Sequence, residues 1–461
     1  MKRPNPRAGA ITTPSFLTDL IDTLTERSRD IIARRAPWMG LTRADGDLPS
    51  LGELLLSGRG EASGVAMAET LLAAYAAASP DKKLAFLEAL GDRFGPDRDG
   101  VTAAVEAFLK DGSSNDSIDA LHVAAEPRRQ ELIRRLNHAP GGTAALVKIR
   151  QELLERLRER PHLKAVDADF VHLFSSWFNR GFLVLRPIDW TTPANILEKI
   201  IRYEAVHAIR DWDDLRNRLE PSDRRCYGFF HPQMVDEPLI FVEIALTRDI
   251  PGSIGALLDH GRTPIAASEA NTAVFYSISN TQAGLGGVSF GNFLIKQVVE
   301  DLKRELPNLK TFVTLSPVPA FAAWLKRERQ NMESEILDDA SRKVLDIIDE
   351  PGWPQDEARS DFLRPVFLTA AAYYFLKAKN GNGAPADPVA RFHLGNGARL
   401  EKLNFLGDMS ENGLRQHGLM VNYLYAPDEI EKNHEAYAEK GVVAASTGIR
   451  RLLRTLAPAV S

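Results

Sequence analysis

The sequence predicts two domains of different class: an all-helical bundle over residues 1–188, then a mixed α/β domain over 189–461. Three observations carry that prediction. At 461 residues the chain is longer than one hydrophobic core usually serves. Residues 14–180 repeat apolar side chains at helical spacing. Beyond residue 225, short β-favouring runs alternate with helical stripes, the pattern of a sheet with helices packed on it.

In the first part, Phe16, Leu20, Ile21, Leu24, Ile31 and Ile32 form a single stripe along 15–36. Ser79-Pro80-Asp81 is a helix start: a capping serine, proline at the first helical position and an acid in the first turn. Leu84, Phe86, Leu87 and Leu90 give that helix its apolar face. Gly95-Pro96 and Gly141-Gly142 punctuate the pattern, and a periodic stretch over 142–160 ends at Pro161. The arginine pairs (128 and 129, 134 and 135, 156 and 158) are mixed with Glu126, Glu131, Glu152, Glu155 and Glu159. They read as solvated faces laced with ion pairs rather than a nucleic-acid surface. With no cluster of metal-ligand residues, the bundle is expected to serve packing or oligomerisation.

Gly181, Pro187 and Pro193 mark a boundary near 181–195. Strands are expected at 239–246, 273–278, 311–315, 399–406 and 420–425, the first two paired with each other. Helices are expected at 194–203, 292–304, 319–347, 361–378 and 428–440. The acidic segment 330–360 reads as a solvated surface insertion, and 379–390 as a polar, turn-rich loop.

Between the strand at 273–278 and the helix at 292–304 lie Gly284, Gly286, Gly287 and Gly291. A glycine loop opening a helix beside a strand offers free backbone N–H groups and a helix dipole to an anion. A flexible turn with glycine caps is the alternative. The spacing is not the dinucleotide G-x-G-x-x-G, and no Gly-Lys-Ser/Thr follows as in a Walker loop.

Composition narrows the function classes. A net charge of −5 gives no general case for nucleic acid or an anionic membrane. The single cysteine, Cys226, excludes an internal disulfide, fits a reducing compartment and reads as a core residue. No run approaches a transmembrane length. The basic opening MKRPNPRAGAITTPSF lacks the apolar centre of a secretory signal and reads as a tail, a transit peptide being the alternative. The last residues, AVS, are not a peroxisomal address. The cytoplasm is the expected compartment.

Eight stretches in one order are specific: SSWFNRGFLVL (175–185), EAVHAIRDWDDL (204–215), RRCYGFFHPQ (224–233), EPLIFVEIALT (237–247), AVFYSISNTQAGLGGVSFGNFLIK (273–296), LSPVPAF (315–321), RFHLGNGARL (391–400) and GLMVNYLY (418–425). Through them the chain resembles malonyl-CoA decarboxylase over most of its length. The amino-terminal part and 330–360 resemble it less. The resemblance implies a helical oligomerisation domain, a tetramer, and a catalytic domain similar in fold to the GCN5-related N-acetyltransferases. It implies malonyl-CoA as substrate, a reaction that needs no metal or separate cofactor; charge and hydropathy add the expectation of no nucleic acid and no membrane.

In that fold the CoA pyrophosphate rests on backbone N–H groups at a helix start, a role the resemblance assigns to Gly286, Gly287, Val288, Ser289, Phe290, Gly291 and Asn292. The acetyltransferase signature, Gln/Arg-x-x-Gly-x-Gly/Ala, is only partly kept: aligned on Gly291, Gly286 stands at the Gln/Arg position and Ser289 at the first glycine. The family's catalytic serine and histidine carry over to Ser316 and His393. Ser316 would orient the malonyl carboxylate and His393 would donate a proton. Asn396 and the backbone near Gly395 would be oxyanion donors, and Tyr425 would support the pair.

Each residue has a plainer alternative. Ser316 before Pro317 resembles a helix N-cap, and a serine can be both cap and catalyst. His393 sits in an apolar run, where hydrogen-bonded core is the common role. His172, His207, His231, His260 and His417 show no metal spacing, and His231 reads as structural. Ser289 in GVSFG spells G-x-S-x-G, but a hydrolase elbow belongs on a strand-to-helix turn with its acid and histidine following. The remaining alternatives are an N-acyltransferase of the same fold and a non-catalytic acyl-CoA sensor or scaffold.

Overall fold

A computed structural model describes residues 47–58, 60–110, 114–288 and 294–454. The stripe over 15–36 lies outside them. Backbone contacts group the described residues up to Phe178 with the segment that starts at Gln282. Asn179–Thr281 and the described residues from Leu294 onward form the second unit.

The first unit is helical, as its periodicity predicts. Ser79 caps the helix Pro80–Asp92 by accepting the Lys82 N–H, and Phe86, Leu87 and Leu90 are buried on its inner face. The periodic stretch from Gly142 gives a helix only as far as Leu154. Arg156 and Leu157 then donate to the carbonyls of Leu153 and Leu154, tightening the chain ahead of Pro161. The arginine pairs are not uniformly solvated, which corrects their sequence reading. Arg128 and Arg134 make exposed ion pairs with Glu53 and Glu126. Arg129 is buried against Asp169, and Arg135 donates to the carbonyls of Leu55, Leu56 and Gly58 at the end of the helix Leu48–Ser57. Burial with a partner is the condition under which arginine enters a core.

The second unit holds an eight-stranded mixed sheet in the order β1-β2-β3-β4-β5-β8-β6, with β7 on the other side of β8. The strands are β1 Val184–Ile188, β2 Arg224–Phe230, β3 Pro238–Thr247, β4 Thr272–Asn280, β5 Thr311–Thr314, β6 Ser316–Pro317, β7 Arg399–Asn404 and β8 Met420–Leu424. Strands β1 to β4 form an antiparallel meander. β4 and β5 are parallel, joined through the helix Leu294–Glu305. β3 is buried at every position but its last, and its Phe241 packs in a core with Leu197, Ile200, Leu215 and Leu219. β3 and β4 lose register between Glu243 and Ile244, which leaves Tyr276 as the extra residue of a bulge in β4.

Four local differences from the sequence reading have physical causes. β1 was hidden because Pro187 reads as punctuation, yet proline is tolerated on an edge strand. The expected helix over 319–347 is Phe321–Gln330 followed, after a break, by Asp339–Leu345, which Asp338 caps. The segment 330–360 is no solvated insertion: Ile336, Leu337, Leu345, Ile348 and Trp353 are buried. The turn-rich loop gives way at Asp387 to a helix, Pro388–Gly395.

Candidate active site

The sheet brings two segments into register. β5 and β6 are one stretch broken at Leu315, and both pair with β8: Val313 opposite Leu424, and Ser316 opposite Val421. Side chains two apart on a strand share a face. Thr314 and Ser316 therefore project together, and so do Tyr423 and Tyr425.

The helix Pro388–Gly395 presents a histidine to those four residues. Asp387 caps it, accepting the Ala390 N–H at 2.9 Å, and Pro388 sits at its first position. Asp387 is buried, which raises its carboxyl pKa, and it also accepts a hydrogen bond from the Tyr374 hydroxyl. The Leu394-Gly395-Asn396-Gly397 end closes the helix one turn after His393. Gly397 has φ +79°, and a side chain there would collide with the Ile430 carbonyl. The helix is thus stopped so that His393 lies in its last turn.

His393 Nε2 lies 3.2 Å from Ser316 Oγ, and its Nδ1 lies 2.7 Å from the Tyr425 hydroxyl. Ser316 donates to Thr314 Oγ1 at 2.9 Å, and Thr314 Oγ1 also accepts the Tyr423 N–H at 3.2 Å. One direction satisfies the whole chain. Tyr425 O–H donates to Nδ1, Nε2–H donates to Ser316, and Ser316 donates to Thr314. The Tyr423 ring stacks on the imidazole, 4.5 Å away at 25°.

The cluster is dry and neutral. Ser316 is 7% exposed and His393 3%. Burial pushes the His393 pKa down to about 3, so the imidazole carries no charge near neutral pH. None of the hydrogen bonds of Ser316, Thr314 or His393 goes to a charged side chain among the described residues. Such an arrangement can donate hydrogen bonds to a carboxylate or a developing oxyanion without holding it as an ion pair.

The expected residues fall as follows. Ser316, His393 and Tyr425 come together. Ser316 is not a helix cap: it is a strand residue, and the next helix starts at Phe321. Asn396 ends the His393 helix, with its side-chain amide donating to the Phe392 carbonyl. In the glycine loop, Gly286 and Val288 donate their N–H groups to the carbonyls of Ala283 and Leu285. Gly287 has φ +77°. Ser289, Phe290, Gly291 and Asn292 lie outside the described residues. Thr314, Tyr423 and Asp387 escaped the sequence reading. Strand alternation from Ser316 and Tyr425 would have flagged the first two, and Asp-Pro as a helix start the third.

Comparison with known proteins gives consistent matches. A family model for the malonyl-CoA decarboxylase C-terminal domain matches residues 181–460, and one for the malonyl-CoA decarboxylase N-terminal domain matches 94–178. The mitochondrial malonyl-CoA decarboxylase of Anser anser anser is 36% identical over 363 residues, covering 73% of this chain and 71% of that protein. That of Rattus norvegicus is 35% identical over 361 residues, covering 73% of each. The crystal structure of malonyl-CoA decarboxylase from Rhodopseudomonas palustris aligns with a TM-score of 0.84 at 67% identity, covering 88% of this chain and 98% of that one. The Agrobacterium vitis structure aligns with a TM-score of 0.85 at 56% identity, covering 88% and 100%.

Proposed function

This chain belongs to the malonyl-CoA decarboxylase family, and we propose that it converts malonyl-CoA to acetyl-CoA and carbon dioxide with Ser316 and His393 as its catalytic pair. It is a carboxy-lyase by family. The observation that carries the residue assignment is the 3.2 Å contact between Ser316 Oγ and His393 Nε2, made in a buried, uncharged setting by residues 77 apart in sequence.

The chemistry follows from electron flow. The bond between the carboxylate and the central malonyl carbon breaks, and its electron pair passes into the thioester carbonyl as an enolate. Carbon dioxide departs, and the enolate carbon takes up a proton. Ser316 turns its one hydroxyl hydrogen from Thr314 to the carboxylate and holds it out of the carbonyl plane, so that the breaking bond overlaps the carbonyl π system. The surroundings favour a charge spreading over the enolate above one localised on a carboxylate. His393 delivers the proton as a neutral imidazole, the protonation state in which a buried histidine can serve as an electrophile. Nε2 is reprotonated from solvent as the product leaves, and the Tyr425 hydroxyl keeps its hydrogen bond to Nδ1 throughout, which holds the ring in the Nε2–H tautomer. Tyr423 keeps the ring plane in place by stacking.

The glycine loop from Gly286 to Asn292 takes the CoA pyrophosphate in this reading. The resemblance also carries the homotetramer into the proposal, and the sequence reading carries the cytoplasmic location. The test is purified protein given malonyl-CoA, with carbon dioxide and acetyl-CoA followed together. Equal release of both is expected, and Ser316→Ala should abolish most of it while the variant still binds CoA. Intact malonyl-CoA that remains bound would instead support the acyltransferase or sensor alternatives.

A further inference from the structure

The ladder between β8 and the broken strand β5–β6 has a gap. Val313 pairs with Leu424 and Ser316 with Val421, and among the described residues no ladder pair joins Thr314 and Leu315 to Asn422 and Tyr423. Side chains fill the gap. The Asn422 side-chain amide donates to the Thr314 carbonyl at 2.8 Å and to the Pro251 carbonyl at 3.1 Å, and its oxygen accepts from the Asn404 amide at 2.7 Å. The Tyr423 N–H donates to Thr314 Oγ1 at 3.2 Å. Thr314 and Asn422 are both 0% exposed, so bulk solvent does not reach the threonine.

Thr314 Oγ1 therefore has one partner whose direction cannot reverse, since a backbone N–H only donates. The Ser316 hydroxyl is its second donor, at 2.9 Å, and two accepted bonds fill the lone pairs of a hydroxyl oxygen. The consequence runs on to the histidine. A serine hydroxyl has one hydrogen. With that hydrogen given to Thr314, Ser316 meets His393 Nε2, 3.2 Å away, only as an acceptor, and the ring must carry its proton there. Tyr425 maintains this tautomer once it is chosen. Its hydroxyl, 2.7 Å from Nδ1, can donate to that nitrogen or accept from it, so the choice comes from the threonine end.

We propose that Thr314 is a positioning residue for the reaction: by taking the Ser316 hydrogen it sets the direction of the hydrogen-bond chain and keeps the deliverable proton on His393 Nε2. This rests on the reading of Ser316 and His393 as the catalytic pair. Without the threonine oxygen, the partner left to the Ser316 hydrogen among the described residues is Nε2 itself. The ring proton then belongs on Nδ1, which donates to the Tyr425 oxygen. The ring stays neutral, with its proton on the side away from Ser316.

The test compares Thr314→Val with Thr314→Ser in the full-length protein. Valine keeps the shape and deletes the acceptor, whereas serine keeps the acceptor. The readouts are nitrogen NMR of His393, assigned by its loss in His393→Ala, together with kcat for malonyl-CoA and Tm. The proposal expects valine to move the ring proton from Nε2 to Nδ1 and to lower kcat by about one to two decades, because the delivering atom no longer carries a proton. Serine should restore the Nε2–H signature and most of kcat. A role in packing alone would lower Tm and leave the tautomer in place. A folded valine variant that keeps its proton on Nε2 therefore overturns the proposal, whatever its kcat. A proton that moves to Nδ1 while kcat holds shows that His393 does not deliver it. The catalytic-pair reading then fails, and the role of Thr314 in the reaction with it. If valine fails to fold, Thr314→Cys takes its place with the same expectations, since sulfur is a weak acceptor. A parent ring protonated at Nδ1 would overturn the proposal without any variant.

Discussion

Two of the buried polar clusters in the sheet unit are built on opposite electrostatic plans. Around Ser316 and His393 every hydrogen-bonding group among the described residues is neutral. Around Arg218 the groups are ionisable. Arg218 lies within 3.1 Å of Glu243 and 3.4 Å of Asp214, and it donates to the carbonyls of His207 and Ala208. Beside it, Glu204 accepts from Ser277, Ser279 and the N–H groups of Val206 and His207. Burial, with the nearby charge of Glu204, pushes the Glu243 pKa up to about 8, against the pull of Arg218. Judged by perturbed carboxylates alone, the charged cluster would be the functional candidate. Yet its charges are cross-linked to one another and to the backbone of residues 204–218, the role of a structural tie. The neutral cluster has what a decarboxylation needs: donors that support a spreading negative charge, and hydrogen-bond partners that are all uncharged among the described residues.

That contrast can be broken by exchanging the consequences of mutation. His393→Ala should lower kcat by roughly two to four decades, the usual loss for a positioned acid or base, in the protein that remains folded, alongside the drop in Tm that truncating a buried ring brings. Steady-state kinetics beside calorimetry would show it, and a kcat within tenfold of the parent would remove His393 from the chemistry. In the charged cluster the balance should reverse. Arg218→Met leaves Glu243 and Asp214 buried without their cation, at a cost of about 3–5 kcal/mol of stability. The folded enzyme at low temperature should keep its kcat, as denaturant titration and kinetics together would establish. Loss of kcat ahead of stability would make that cluster part of the active site. Tyr425→Phe sharpens the neutral side. It deletes one hydrogen bond to Nδ1, and about a tenfold fall in kcat is expected from an interaction of about 1 kcal/mol or slightly more. An unchanged kcat would leave the tyrosine as packing only.

The same contrast explains what the sequence made legible. The helical bundle and the helix Leu294–Glu305 follow from periodicity, because each buries a face whose spacing is local, and the long strands β3 and β4 follow from their continuous apolar runs. The pair Ser316 and His393 emerged through motifs alone. By local rules Ser316-Pro317 resembles a helix cap, whereas β8 pairs with Ser316 and draws it into the sheet. Thr314 and Tyr423 were invisible because their roles depend on that same pairing of distant segments. Arg129 and Arg150 looked solvated or unremarkable, since the carboxylates that bury them, Asp169 and Asp167, sit on another helix. β1 disappeared behind Pro187, which is harmless only because the strand is an edge.

The central claim is that the catalytic imidazole is neutral and oriented by Tyr425 and Ser316. Nitrogen NMR of His393 in the folded enzyme, assigned by comparison with His393→Ala and followed from pH 5 to 8, tests it most directly. With the pKa held down near 3 by burial, the account predicts a neutral ring protonated at Nε2 throughout, and kcat/KM free of any inflection from this residue. A ring that titrates near the ordinary value of about 6.5 would contradict it and would make His393 a cationic acid in a site wet enough to solvate the charge.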